Sequence, residues 1–240
     1  MFESIRNALG FGSNPKDNKA TKPSSLPASS VSPSSKVSEW ASMQGLGFSQ
    51  RSDGRTGYQM DGTIAGKPWR MEQGKPSRDF IKNSELRARA ELGISSSMAV
   101  MVISRQLKND LDKRAFELYT DTLQTIADPN LPEEMRWLSI YEEVGWESLG
   151  DTFLNNYAIL AEERETAMAW IGPELVTLLM SWPAFDPATP KILMLLRGKA
   201  YLRMQYDEGD IPAMEHATKL FTTACELALN SLKPSKASKV

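Results

Sequence analysis

Residues 13–36, SNPKDNKATKPSSLPASSVSPSSK, limit what this chain can fold into more than any other stretch. Eight Ser and four Pro in that run, with no aromatic residue, leave almost nothing to bury. The entropy of ordering such a segment outweighs its packing gain, so the composition predicts a disordered linker. A flexible linker of this kind has a root-mean-square reach of about 25–30 Å. It divides the chain into a tip at 1–12, a globular part at 37–232 and a basic tail, KPSKASKV, at 233–240.

The tip reads MFESIRNALGFG. On a helical wheel Phe2, Ile5 and Leu9 fall on one side, while Glu3, Ser4, Arg6 and Asn7 take the other. Gly10 supplies a stop and Phe11 follows it. A helix this short is marginal alone in water. Burying the three apolar side chains would contribute on the order of 5–8 kcal/mol before the cost of ordering. That suits a weak contact formed by folding upon binding, with Phe2, Ile5, Leu9 and Phe11 as the candidate partner-binding residues. Three destinations fit: the protein's own domain, a groove on another protein, or a membrane surface. The membrane is the poorest fit, because only Arg6 and the terminal amine offer positive charge and one short helix anchors weakly.

Across all 240 residues, 41% are hydrophobic and 24% charged, values that support a real core. A net charge of -2 supplies no global field for nucleic acid or an anionic membrane. One cysteine, Cys225, excludes an internal disulfide and fits a reducing compartment. No apolar run approaches the ~20 residues of a membrane span. Glu3, Arg6 and Asn7 break what a secretory signal would need as a continuous apolar core, so the expected location is cytoplasmic. The charge is segregated: residues 51–89 carry nine Lys/Arg against five Asp/Glu, and residues 90–165 carry six against fifteen.

The globular part predicts an α+β fold of short antiparallel strands and hairpins packed against three or four helices. SEWASMQGLGF reads as a short helix closed by glycine, and LGFSQR, GYQMDGTIAG and KPWRMEQG as strands. A hairpin turn is expected at Ala65-Gly66 or Gly66-Lys67. ELRARAELG alternates as a half-buried strand, against a competing helical reading, and MAVMVI reads as a buried one. Helices follow over residues 104–128, with Leu107, Leu111, Ala115, Leu118 and Thr122 as an apolar stripe, and over LPEEMRWLSIYEEVGW. DTFLNNYAILAE suggests a strand. Gly172-Pro173 interrupts a helical run, a hairpin turns near Arg197-Gly198-Lys199, and a closing helix is capped by Asp210. GKPWRMEQ and GKAYLRMQ look alike. Shared hairpin demands explain this, or a duplicated strand–hairpin–helix unit with halves at 37–128 and 129–232.

No catalytic constellation emerges. His216 and Cys225 lie nine positions apart on one helix, on opposite faces, so no nucleophile–base pair forms. His216 is expected toward solvent or at a core edge, and Cys225 buried. The carboxylate pairs Glu133/Glu134, Glu142/Glu143 and Glu162/Glu163 diverge on a helix and read as solvated faces. There is no zinc-type His/Cys spacing, P-loop, dinucleotide fingerprint, nucleophile elbow or calcium loop, so no metal or cofactor is implied. The best polar grouping is a basic surface of Arg70, Arg78, Lys82, Arg87 and Arg89 beside Trp69 and Phe80. Stacking on single-stranded nucleic acid is conceivable there, but the charge balance opposes it. Pairing with the chain's own acidic middle accounts for the same residues. The leading expectation is a non-catalytic adaptor or regulatory protein that binds another protein through a tethered tip and an α+β domain. The runner-up is an enzyme or accessory domain whose site assembles only in three dimensions. The oligomeric state is open.

Overall fold

The hydrophobic alternation in the middle of the chain builds strands, and their order decides everything else. A computed structural model describes residues 33–50, 57–122 and 133–232, with side chains to residue 117 in the second stretch. The tip with Phe2, Ile5, Leu9 and Phe11, most of the linker, the basic tail, and the side chains of Leu118 and Thr122 lie outside the described residues. In chain order the elements are α1 (Pro33–Met43), β1 (Gly47–Gln50), β2 (Tyr58–Ile64), β3 (Lys67–Gly74), β4 (Ser84–Glu91) and β5 (Ala99–Ser104). There follow α2 (Arg105–Thr122), α3 (Glu133–Ile140), β6 (Glu142–Val144), α4 (Gly150–Asn156) and β7 (Tyr157–Ala161). The chain closes with α5 (Arg164–Trp170), α6 (Pro173–Met180), β8 (Lys191–Leu196), β9 (Lys199–Tyr206) and α7 (Ile211–Ser231).

Among the described residues nine strands join one sheet in the order β1-β2-β3-β4-β9-β8-β5-β7-β6, each neighbour antiparallel. The fold is mixed α+β but dominated by this sheet, which corrects the expectation of short hairpins against three or four helices. Each hairpin is too narrow to bury its own face. Pairing β4 with β9 across more than a hundred residues merges them into one surface that the described helices can cover.

Alternation assigns the two faces. On the first, Met60, Met71, Ala88, Leu202, Leu193, Val102 and Ile159 follow one another across the strands and are buried under α7 and its neighbours. On the second, Met101, Ile103, Ala158, Leu160, Ile192 and Met194 are buried with Leu107 and Leu111 of α2 and Met135 and Trp137 of α3. Every residue of β5 and β7 is buried because both faces of those strands are covered.

Local signals explain the turns. Ala65 and Gly66 have φ of 48° and 75°, and Arg197 and Gly198 have 50° and 75°. Each is a two-residue turn with both residues left-handed, the type whose twist suits a hairpin. GKPWRMEQ and GKAYLRMQ each begin at the second residue of such a turn. The register offsets the two by one residue: Ala90 faces both Trp69 and Ala200, so Trp69 and Tyr201 point to opposite faces. Moreover β5, from the first sequence half, sits between β8 and β7 of the second. Within β2, Gly62 is required because the Trp69 indole crosses it; a Cβ there would lie 2.5 Å from Trp69 Nε1.

Three further expectations change. Helix α1 begins at Pro33, inside the stretch expected to be linker. LPEEMRWLSIYEEVGW is helical only to Ile140 and then forms edge strand β6. DTFLNN is helix α4 and only YAILA is strand. The break at Gly172-Pro173 and the Asp210 cap, whose Oδ1 accepts from Ala213 N at 3.0 Å, are as the sequence predicts.

Candidate functional site

The second sheet face changes character between β9 and β8. Along one row Asp61, Arg70, Arg89 and Tyr201 lead into Met194, Met101 and Leu160. The next row runs Glu72, Arg87, Arg203, then Ile192, Ile103 and Ala158. Helices α2 and α3 cover the apolar half. The polar half, on β2, β3, β4 and β9, forms an open hollow of about 610 Å³. A charged strand face cannot be buried without losing its hydration, so the helices stop where the charges begin.

Acid and base interleave on this face. Arg70 Nε donates to Asp61 Oδ1 at 3.1 Å, and Gln59 Nε2 donates to Asp61 Oδ2 at 2.8 Å. Glu72 accepts from Arg87 Nη2 at 3.3 Å and lies 3.9 Å from Arg70 Nη1. Glu91 bonds Arg89 and lies 3.0 Å from Lys199 Nζ; these bonds hold its carboxyl below the usual range. The side chains of Arg70 and Arg89 are 56% and 55% exposed, so their pairs add little stability and their donors remain available.

One end of the hollow is anchored by a buried network. Glu85, fully buried, accepts from Ser77 N at 2.6 Å and Ser77 Oγ at 3.2 Å and lies 3.3 Å from Arg203 Nη1. Glu134 of α3, also buried, accepts from Arg78 Nε at 2.8 and 2.9 Å through its two oxygens. Arg203 Nη1 also donates to Ser77 Oγ at 3.0 Å and reaches Glu134 Oε1 at 3.8 Å. Desolvation pulls the Arg203 guanidinium below its ordinary value, opposed chiefly by the Glu85 charge. The network joins the 75–83 loop, the sheet and α3.

Of the basic residues expected to form a surface, Arg70, Arg87 and Arg89 share the uncovered face. Arg78 is committed to Glu134, and Lys82 sits in the loop, with its backbone N donating to Gln205 Oε1 at 3.0 Å. Arg78 thus pairs with the acidic middle of the chain, while Arg70 and Arg87 pair within their own segment. Sequence reasoning missed Arg203, Lys199 and Tyr201. The signal was present in KAYLRMQY, where Lys, Tyr and Arg alternate with buried Ala, Leu and Met.

The remaining candidates have structural roles. Glu134 is buried, against its expected place on a solvated face. His216 is half-buried; its Nε2 donates to Leu178 O at 2.8 Å and its ring packs 4.5 Å from Trp182. Cys225 is fully buried, as expected, and burial pushes its thiol up. Among the described residues no three His, Cys, Asp or Glu converge to hold a metal ion, and no helix is long and apolar enough to cross a membrane.

No family model matches the chain, and no curated protein matches it. Among solved structures, the crystal structure of the mycobacterial trehalose monomycolate transport factor A, TtfA, is similar over 85% of this chain and 97% of that one. The TM-score is 0.49 at 10% identity. A likeness that loose says nothing of what this chain binds.

Proposed function

We propose that the chain is a non-catalytic adaptor or regulatory protein that binds another protein through the uncovered sheet face and the tethered N-terminal peptide. The supporting observation is the half of the second face that no described element covers, where exposed Arg70 and Arg89 stand among Asp61, Glu72 and Glu91 while the adjoining half is sealed by helices. Interleaved charges of both signs suit a polypeptide partner with a complementary pattern, since such complementarity governs specificity and encounter rate. The peptide bearing Phe2, Ile5, Leu9 and Phe11 adds a second weak contact. A tether keeps that contact at high effective concentration, so the two act together.

The enzyme or accessory alternative draws on the same hollow, because Arg70, Arg87, Arg89 and Arg203 could hold an anionic substrate. Against it, the hollow's Asp61, Glu72 and Glu91 are already engaged by Arg or Lys, which leaves no unpaired base beside a nucleophile. The test is affinity capture from native cell extract with the full chain, a form lacking residues 1–12, and the double variant Arg70→Glu/Arg89→Glu. Each change is expected to weaken capture of the same polypeptide about tenfold, roughly 1.4 kcal/mol. Undiminished capture by both altered forms would sink the proposal.

A further inference from the structure

Lys191, first residue of β8, has no part in the uncovered face. Its backbone N donates to Ser104 Oγ at 3.2 Å, and its side chain turns toward the loop between α6 and β8. The residue is 5% exposed. Its Nζ donates to two backbone carbonyls, Asp186 O at 3.1 Å and Thr189 O at 3.4 Å, and lies 5.4 Å above the Trp182 ring and 5.8 Å from that of Phe185. Both acceptors are neutral. The Asp186 carboxylate is occupied elsewhere, accepting from Ala188 N and Thr189 Oγ1 at 2.9 Å each. The side chain borders a pocket of about 210 Å³ whose other walls include Trp182, Thr189, Tyr206 and Asp210.

We propose that Lys191 is a covalent site for small carbonyl compounds: its ε-amine, at the wall of this pocket, forms an imine with an aldehyde or ketone of a few heavy atoms. Two carbonyl acceptors and Cε take three of the four tetrahedral positions of Nζ. A neutral amine therefore keeps both hydrogen bonds and still has its lone pair in the fourth position. The lone pair adds to the carbonyl carbon and the C=O electrons move to oxygen. That oxygen then leaves as water with two hydrogens given up on the way to C=N, so the step needs no oxidant or reductant. Burial makes the neutral form accessible, lowering the ammonium to about 8, with the Asp186 charge opposing. The titratable groups facing it are Asp186, Asp207, Asp210 and Tyr206 around the pocket, with His216 behind Trp182.

The test treats the full chain at pH 8 with acetaldehyde and cyanoborohydride, which traps the imine as a secondary amine, and maps adducts by peptide mass spectrometry. At that pH about half of such an amine is neutral, against about 0.3% of an ordinary lysine. Allowing for its lower nucleophilicity, Lys191 should label about tenfold faster than exposed Lys67, Lys75, Lys82 or Lys219. The advantage should vanish in 8 M urea (a ~8 M solution unfolds most domains). Labelling of Lys191 no faster than those four would overturn the proposal. So would an advantage that persists in urea.

Discussion

Replacing Arg203 with Met tests whether the buried network, and not the exposed ion-pair ladder, holds the uncovered face in place. Arg203 is 17% exposed and stands between two buried carboxylates, Glu85 at 3.3 Å and Glu134 at 3.8 Å. Removing one partner from a buried ion pair costs about 3–5 kcal/mol when the other is left without compensation. Here compensation is partial. Glu134 keeps Arg78 at 2.8 Å and Glu85 keeps Ser77 N at 2.6 Å, although Ser77 Oγ loses the Arg203 donor. The expected loss is therefore about 2–3 kcal/mol, below the full penalty but well above the ~0–1 kcal/mol of a surface pair. Arg89→Met is the control, because its pair with Glu91 is half exposed. In urea unfolding at pH 7 the Arg203 variant should shift its midpoint down by about 1 M at a slope of 2–3 kcal/mol per M, and the control by about 0.3 M or less. Adding Glu85→Gln to Arg203→Met should recover part of the loss, since the orphaned charge goes with it. If the Arg203 and Arg89 variants are equally stable, buried compensation is not what fixes this end of the sheet.

Gly62→Ala should destabilise by about 1–3 kcal/mol, because the new methyl meets the buried Trp69 indole and disturbs its edge-on packing with Phe221, 6.2 Å away centre to centre; an unchanged thermal midpoint would refute that packing. For His216, burial holds the imidazole below its ordinary value. The unfolded chain then takes up a proton first as pH falls, so this contribution is complete above pH ~6.5 and lost below it. Unfolding free energies of the protein and of His216→Gln, compared from pH 8 to 5, should diverge against the parent on the acid side; parallel curves would refute the assignment.

Where a signal was local, it was legible. Alternation in Ser84–Glu91 separated strand from helix, because a helix would have placed Leu86, Ala88 and Ala90 around its circumference instead of on one buried face. The hairpins expected at Ala65-Gly66 or Gly66-Lys67 and near Arg197-Gly198-Lys199 are present, and the left-handed residues place the turns at Ala65-Gly66 and Arg197-Gly198. DTFLNNYAIL misled because its apolar residues satisfy either period until Tyr157 enters the sheet, where its hydroxyl donates to Leu179 O at 2.8 Å and fixes the strand. Glu134 looked solvated because its partners, Arg78 and Arg203, are distant in sequence. The site was half legible for the same reason. Arg70, Arg87 and Arg89 share a face by strand parity, whereas Lys199, Tyr201 and Arg203 join them only through the pairing of β4 with β9.

That pairing also explains why no described helix covers the face. A helix can cover two or three strands, so the second face needs apolar residues only over the strands that α2 and α3 reach, namely β5, β7 and β8. Strand β9 is shared: Ala200, Leu202 and Met204 line the first core, and Lys199, Tyr201 and Arg203 face the other way. Making Tyr201 and Arg203 apolar would extend the second core toward β4 and leave a greasy strip with no described helix above it. The charges on β2, β3, β4 and β9 therefore keep an uncovered sheet soluble and unavailable to indiscriminate sheet stacking. A partner must match that charge pattern to bind there, which is why the same residues that solve a folding problem also define the surface proposed for recognition.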